Sequence, residues 1–519
     1  MILNKKIISL FTILNILFFT YNILNFNEII KKKPLSYDEV NLKIATQSNL
    51  KDIWLGKESI SFKEFLNIGI KKINKQSISE TSIARENDNF YLRNHHGILN
   101  LILSKLFEKK NFNGINNQNY FILFISIIIF FLYFKKTIFF NHLINLIIFV
   151  ISSTWFLHSF VSTTHHVILG ISFVIISASI LEYNTKKKNN YLFFLILAIA
   201  IAILTLETSI LFIPIFLLFF FIRNYKDFNF KKIIKYFFLL LIIIFIIYPG
   251  FYYTLDYFKS SLILFYRIFF DNTLNTSETI SLLDLALNNF IFLIFILISL
   301  IVLIFKSNKN KIYLSFLLVT GLLYIGIMIP NLFDKSYLFP GLIVITYASV
   351  YSLKDEINQN KFLTLILIPI FFLNQFNFFY LNKKYTEKPD MLFQELTGYE
   401  YSSEWFKDLN KISLYLKNKN NLENKNNIYS DYPRIFQLYQ DELKLAIFEA
   451  YIENEDIIIS KNYERKNFFN QKFNLKNINN ILILQTRLLN SNIEQKLINL
   501  KFYKKNLKLY NFTIFENKN

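Results

Sequence analysis

Adjacent carboxylates stand at Asp38 and Glu39, within Pro34-Leu35-Ser36-Tyr37-Asp38-Glu39, a few residues beyond the first apolar stretch of the chain. A carboxylate placed where a loop leaves a membrane suits a general base or a ligand for a hard metal ion. The same pair also fits two solvated loop acids, and spacing leaves both readings open. His95-His96 follows later in the same polar stretch, where it could form a second wall of one pocket or be ordinary polar loop. His165-His166 opens a further apolar span and Glu207 occupies a turn between two others, at the depth of a membrane-surface site and also where polar helix ends are commonplace. His142 and His158, near span ends, have no partner in the pattern. Arg267 stands out among the cations because its planar fork suits phosphate, although it could equally anchor an amphipathic helix at lipid headgroups. No P-loop, dinucleotide fingerprint, serine-nucleophile elbow or zinc-protease helix occurs.

The elements that must position these groups follow from composition. The 519 residues are 53% hydrophobic with a mean hydropathy of +0.32, the composition of a polytopic membrane protein with room for a further domain. Net charge is +20, yet only seven of the 57 basic residues are arginine and no arginine/aromatic platform is visible, so lysine-rich loops beside a membrane account for the charge and no nucleic-acid partner is expected. With no cysteine, disulfides, thiolate catalysis and thiolate metal sites are excluded.

Residues 7–26 form an apolar run after Lys5 and Lys6 without a small-residue cleavage site, which predicts a retained first helix. A polar stretch of about ninety residues follows, with Ser61 and Glu64 as a capping box, an amphipathic helical face over 62–73, and an apolar piece over 97–107 suited to lie along the membrane surface. Ten more apolar spans follow at 119–134, 138–158, 165–183, 191–206, 208–222, 235–252, 286–305, 312–329, 336–353 and 362–380. The 32 residues over 191–222 would reach about 48 Å as one helix, more than a bilayer core, so a break is expected at Glu207-Thr208-Ser209. Seventeen Lys/Arg then fall on the side of the N-terminus, against three (Lys259, Arg267, Lys335) in the short loops opposite. That asymmetry predicts a cytoplasmic N-terminus and an external C-terminus.

The domain division expected is 1–381 for the transmembrane part, with an external loop at 27–118, and 382–519 for a small external α/β domain. In the latter, Trp405, Leu409, Ile412 and Leu416 lie at helical spacing, 418–427 reads as a loop, and strand-like runs occur at 427–430, 456–460, 480–485 and 507–515.

In its order of motifs the chain resembles the bacterial GT-C membrane glycosyltransferases, which include protein O-mannosyltransferases and the aminoarabinose transferases of lipid A. The resemblance rests on Tyr37-Asp38-Glu39 in the first external loop, then Asn94-His95-His96-Gly97-Ile98-Leu99 leading into Leu103-Ser104-Lys105-Leu106-Phe107. Leu204-Thr205-Leu206-Glu207-Thr208 and Lys335-Ser336-Tyr337-Leu338-Phe339-Pro340 resemble the family's threonine turn and its Arg-Tyr-Leu-Leu-Pro segment. His96 falls at the histidine of the His-Pro-Pro-Leu-type motif, with Gly97 and Ile98 in place of its prolines, and Lys335 begins a segment that lacks the family's arginine.

This resemblance implies an inverting hexosyl- or pentosyltransferase of the inner membrane. It would move a sugar from a polyprenyl-phosphate donor to a lipid, glycan or protein acceptor at the outer face. Asp38 would be the base, assisted by Glu39 and His96, and Arg267 or Lys335 would hold the phosphate. No cofactor is certain; a divalent metal on Asp38, Glu39 and His96 is compatible with the residues. Two other classes remain open: a glycolipid transporter or flippase, and a non-catalytic envelope scaffold. Against the transporter, the apolar spans are nearly free of charge and show no repeat.

Overall fold

The computed structural model describes residues 2–32, 99, 102–103, 106, 114–135, 138–153, 165–206, 208–227, 230–249, 289–305, 310–328, 335–359, 361–387, 403–419, 425–431, 445–453, 455–461, 464–471 and 478–517. The described residues fall into two compact units, one holding the helices up to residue 387 and the other residues 403–517.

In the first unit the described helices are α1 (Ile2–Lys32), α2 (Gly114–Phe134), α3 (Phe140–Ile151), α4 (His165–Lys186), α5 (Asn189–Thr205), α6 (Ser209–Asn224), α7 (Phe230–Ile247), α8 (Phe290–Phe305), α9 (Lys311–Met328), α10 (Phe339–Gln359) and α11 (Lys361–Glu387). Each occupies one of the apolar runs, and the break expected at 207–209 is present between α5 and α6. Among the described residues, three segments suffice by length and composition to cross a membrane, Ile8–Ile29, His165–Lys186 and Lys311–Met328. The first helix is longer than its apolar run at both ends, and the last continues through Asn382.

Large apolar side chains such as Leu17, Leu218, Ile246 and Phe305 are exposed on the outside of this unit, as lipid requires. The core is instead held by close backbone approach and by polar contacts. A Cβ on Gly170 of α4 would meet Ile343 and Phe339 at 2.8 Å, and one on Gly341 of α10 would lie 2.7 Å from the carbonyl oxygen of Gly321 on α9. Small residues let helices approach where lipid supplies no hydrophobic drive. Tyr313 donates to the carbonyl of Ser177 at 2.8 Å, and Ser299 to Ser349 at 2.8 Å, tying α9 to α4 and α8 to α10.

One face of α1 carries Thr12, Asn15, Asn22, Phe26 and Ile29, all buried. Their steps of three, four and seven are those of a helix–helix seam. Asn15 donates to Asn145 of α3 at 2.9 Å, and Asn145 to Thr12 at 2.9 Å. Asn22 donates to the carbonyl of Gln375 at 3.1 Å, while Asn382 of α11 donates to the carbonyl of Asn22 at 2.7 Å. Asn374 and Gln375 both donate to Ser152, at 2.7 and 2.8 Å, completing the link from α11 to the end of α3. Interhelical bonds of this kind average about 0.6 kcal/mol each in lipid.

In the second unit a helix, α12 (Ser403–Lys419), precedes a seven-stranded sheet ordered β4-β3-β2-β1-β5-β7-β6. The strands are β1 (Lys425–Ser430), β2 (Leu445–Glu453), β3 (Asp456–Lys461), β4 (Glu464–Asn467), β5 (Ile478–Gln485), β6 (Phe502–Lys504) and β7 (Phe512–Asn517), with α13 (Ser491–Asn499) between β5 and β6. β1 is parallel to both β2 and β5, pairing Ile428 with Ile447 and Ile481, and the outer pairs are antiparallel. Ile481 to Leu484 are all fully buried, the continuous apolar run of a parallel strand covered on both faces. The edges β4 and β6 carry Glu464, Arg465, Lys466 and Lys504, charges that discourage pairing with another sheet.

The last strand begins at Phe512 rather than near 507, because the buried Asp408 of α12 takes the amides of Tyr510 and Asn511 at 2.8 and 2.7 Å and so removes them from any ladder. The expected loop over 418–427 is shorter, since α12 runs to Lys419 and β1 starts at Lys425. β2, β4 and β6 were not legible as strands: Leu445–Glu453 carries Ala, Leu and Glu, and its pairing with β1 and β3 overrides that preference. Tyr415 donates a short hydrogen bond to the buried Glu516, which also pairs with Lys505 at 2.9 Å. Burial, and then this bond, push the Tyr415 phenol up.

Asp431, the first residue after β1, accepts the amide of Gln485, the last of β5, at 2.8 Å. It thereby joins the carboxyl ends of the two central strands. Burial raises this carboxyl from the ordinary value to about 7, against the smaller opposing effects of the Gln485 amide and Arg487. Because the folded value is raised, the contribution to stability is full below about pH 4 and is lost as pH rises to about 7. A rise of some three units corresponds to at most about 4 kcal/mol. Asp431→Asn is therefore expected to gain stability relative to the wild type between pH 5 and pH 8, read as slower hydrogen exchange in the β5 peptide at pH 8.

Candidate functional site at one end of the helical unit

Four of the residues expected to do chemistry, Asp38, Glu39, His96 and Arg267, lie outside the described residues, as do His95, His158 and Glu207. Lys335 is described in its backbone, at the start of the single turn Lys335–Leu338 that leads into α10. His142 lies in α3, buried, with its ring 6.5 Å from that of Phe139.

Helix directions decide which ends meet. Along α1 and α11 the contacts rise together, Phe11 with Phe372, Phe18 with Phe376 and Phe26 with Phe378, so the two helices are parallel. α3 is parallel to them, its Asn145 level with Asn15 and its Ser152 level with Gln375. α4 and α10 are parallel to each other, since His166 meets Tyr337 and Gly170 meets Phe339 and Ile343. A narrow apolar crevice lined by Ser126, Val150, Ile151, Ile171 and Ile343 brings the carboxyl end of α3 against the starts of α4 and α10. Hence the carboxyl ends of α1, α3 and α11 and the amino ends of α4 and α10 share one end of the unit.

At that end the rings of His165 and His166 lie 4.0 Å apart, and His166 lies 4.2 Å from Tyr337 of the Lys335–Leu338 turn. Both histidines are fully buried. Nearby, Thr208 at the start of α6 and Tyr324 of α9 are 3.4 Å apart through their hydroxyls, and Tyr324 packs its ring 4.4 Å from Phe212. Imidazole, phenol and hydroxyl groups are all capable donors to an anion.

The structure thus joins two features that are 171 positions apart in the chain, His166 and Tyr337. Tyr337 was visible in the sequence only as part of a motif, and nothing in the spacing paired it with His166. The buried amides of α1 and α11 were also missed; the signal available was Asn15 and Asn22 seven residues apart within an apolar run. Among the described residues no group of three or more His, Cys, Asp or Glu could hold a metal ion. The residues expected to do so, Asp38, Glu39 and His96, are outside that set.

No family model and no curated protein matches the sequence. Among solved structures, the chain has the fold of ArnT from Cupriavidus metallidurans, solved bound to undecaprenyl phosphate. The match covers 97% of this chain and 98% of that one with a TM-score of 0.58, at 10% sequence identity. The likeness is therefore one of fold and runs along nearly the whole chain.

The ring contact of His166 with Tyr337 can be tested by a double-mutant cycle. His166→Leu and Tyr337→Leu are each expected to lower the melting temperature of the purified protein, with a coupling of about 0.5–1.5 kcal/mol between them.

Proposed function

We propose that this protein is a membrane glycosyltransferase that moves a sugar from a polyprenyl-phosphate donor to a lipid, glycan or protein acceptor at the outer face of the inner membrane. The observation that carries the reading is the fold shared along nearly the whole chain with ArnT, a protein captured with undecaprenyl phosphate. That the carboxyl end of α1 and the Lys335–Leu338 turn lie at the same end of the helical unit supports it, since in sequence the acids follow the first and a candidate phosphate-holding cation opens the second.

In the reaction, the acceptor hydroxyl oxygen attacks the anomeric carbon as its proton passes to the Asp38 carboxylate. The new C–O bond forms on the face opposite the breaking bond to phosphate, which inverts the anomeric centre. Polyprenyl phosphate leaves with its negative charge, and Arg267 or Lys335 stabilises that charge through charge-assisted hydrogen bonds. Glu39 and His96 support Asp38. A divalent cation held by Asp38, Glu39 and His96 would supply further charge stabilisation to the departing phosphate. In this reading the N-terminus is cytoplasmic and residues 382–519 are periplasmic.

Asp38→Asn keeps the size of the side chain and removes the charge that accepts the proton. It is expected to lower turnover of a polyprenyl-phosphate sugar by about 100- to 10,000-fold with membrane insertion unchanged. Wild-type turnover in both Asp38→Asn and the Asp38→Asn/Glu39→Gln double variant would sink the proposed site.

Arg267→Ala is expected to weaken donor binding more than it disturbs folding, and Lys335→Ala to do so if the lysine holds the phosphate instead. Donor affinity measured by titration of the purified variants decides between them. Unchanged affinity in both would assign the phosphate to a metal or to the first loop.

A further inference from the structure

We propose that the end of the helical unit opposite the histidine pair holds one anionic glycerophospholipid, its phosphodiester bound between the α4–α5 turn and the carboxyl end of α6. α4 has 22 residues, about 33 Å of helix, so Lys186 stands a bilayer core away from His165. Lys187, in the turn that follows, donates to Oδ1 of Asn224 at 2.6 Å, and the buried Asn224 donates to Asn184 at 2.7 Å. These bonds draw two segments 37 residues apart into one cluster, Lys186, Lys187 and Lys188 from the turn with Arg223 and Lys226 from the end of α6 and the turn after it. α7 starts three residues after Asp227 and packs on α5, bringing three more lysines, at 231, 232 and 235, to the same end. Within 182–188 and 223–235 eight cations accompany two acids, Glu182 and Asp227, and Glu182 pairs with Lys186. Basic pockets between helices at a membrane face suit anionic headgroups.

Lys187 is held in place before any ligand arrives. Its φ is 51°, a left-handed backbone that ordinarily falls to glycine at a helix end. Its amide closes the last turn of α4 on the Tyr183 carbonyl at 2.8 Å, and its ammonium lies 5.2 Å from the centre of the Tyr183 ring. An ammonium fixed by an amide oxygen and a ring loses little freedom on meeting an anion. Lys188, Arg223 and Lys226 around it are exposed. The surface beside the cations selects a lipid over a free phosphate. Phe193 and Phe194 of α5, Ile222 of α6, and Phe237 and Phe238 of α7 are exposed along the same helices, a surface that acyl chains can cover while the headgroup meets the cations. Tyr225, also exposed, stands between the two regions, where an amphipathic ring suits the headgroup level.

The test uses the full-length protein in a neutral detergent, with lipid binding read by native mass spectrometry. Dioleoyl phosphatidylglycerol is compared with dioleoyl phosphatidylcholine, which has the same acyl chains and phosphodiester but a balancing cation. One phosphatidylglycerol is expected to bind at least about 10-fold more tightly than phosphatidylcholine, since each lysine or arginine beside an anionic lipid is worth about fivefold. In Lys187→Gln/Arg223→Gln/Lys226→Gln the preference is expected to fall to about twofold or less. Lys187→Arg/Arg223→Lys/Lys226→Arg keeps the charges and is expected to keep the preference. Lys407→Gln/Lys501→Gln/Lys508→Gln removes three exposed cations from the second unit and is expected to keep it as well. Equal binding of the two lipids by the wild type overturns the proposal. So does a preference that survives the first variant, or one lost as fully in the second-unit variant, which would make it an effect of net charge alone. Displacement of phosphatidylglycerol by glycerol phosphate in large excess would assign the cations to a soluble phosphate ester and overturn the lipid site.

Discussion

An amide inside a bilayer has no water to return to, and this constraint explains how the helical unit holds a single arrangement. Leucine against lipid and leucine against leucine are nearly equivalent, so apolar faces alone do not choose a partner or a register. The choice falls to a few groups that must find hydrogen bonds within the protein. The side-chain NH2 groups of Asn15, Asn22, Asn145, Asn374, Gln375 and Asn382 all donate between α1, α3 and α11. The three parallel helices present their carboxyl ends together.

The second group of helices is organised by a different device, close approach at glycine. Gly170 admits Phe339 and Ile343, and Gly341 lies against the backbone of Gly321. These contacts bring the start of α10 beside the start of α4 and so seat Tyr337 on His166. The two devices meet around the crevice that α3 shares with α4 and α10. The second unit is tied by carboxylates instead: Asp408 ties α12 to the loop before β7, Glu516 receives Tyr415 and Lys505, and Asp431 joins β1 to β5.

The interhelical polar groups of α1, α3 and α11 are neutral amides and hydroxyls, suited to fixing helices rather than to carrying ions. The described ionisable side chains at the shared end include two histidines beside a tyrosine. This distribution agrees with chemistry performed at one face of a membrane unit better than with a charged path through its middle.

Much of the helical layout was legible because a helix in lipid must satisfy its own backbone, so apolar length alone marks it. The runs at 165–183 and 312–329 became α4 and α9 almost residue for residue, and the break at 207–209 followed from a length too great for one helix. The strands β2, β4 and β6 were not legible, since their pairing depends on neighbours distant in sequence rather than on local preference. The candidate site divides the same way. Residue types and motif order named Asp38, Glu39, His96, Arg267 and Lys335, while the pairing of His166 with Tyr337 and the grip of Gln375 and Asn382 on Asn22 came only from tertiary structure. The physical reason is that local sequence dictates which segments become helices, but the side chains that meet across them are chosen by hydrogen bonds and close approaches between segments hundreds of residues apart.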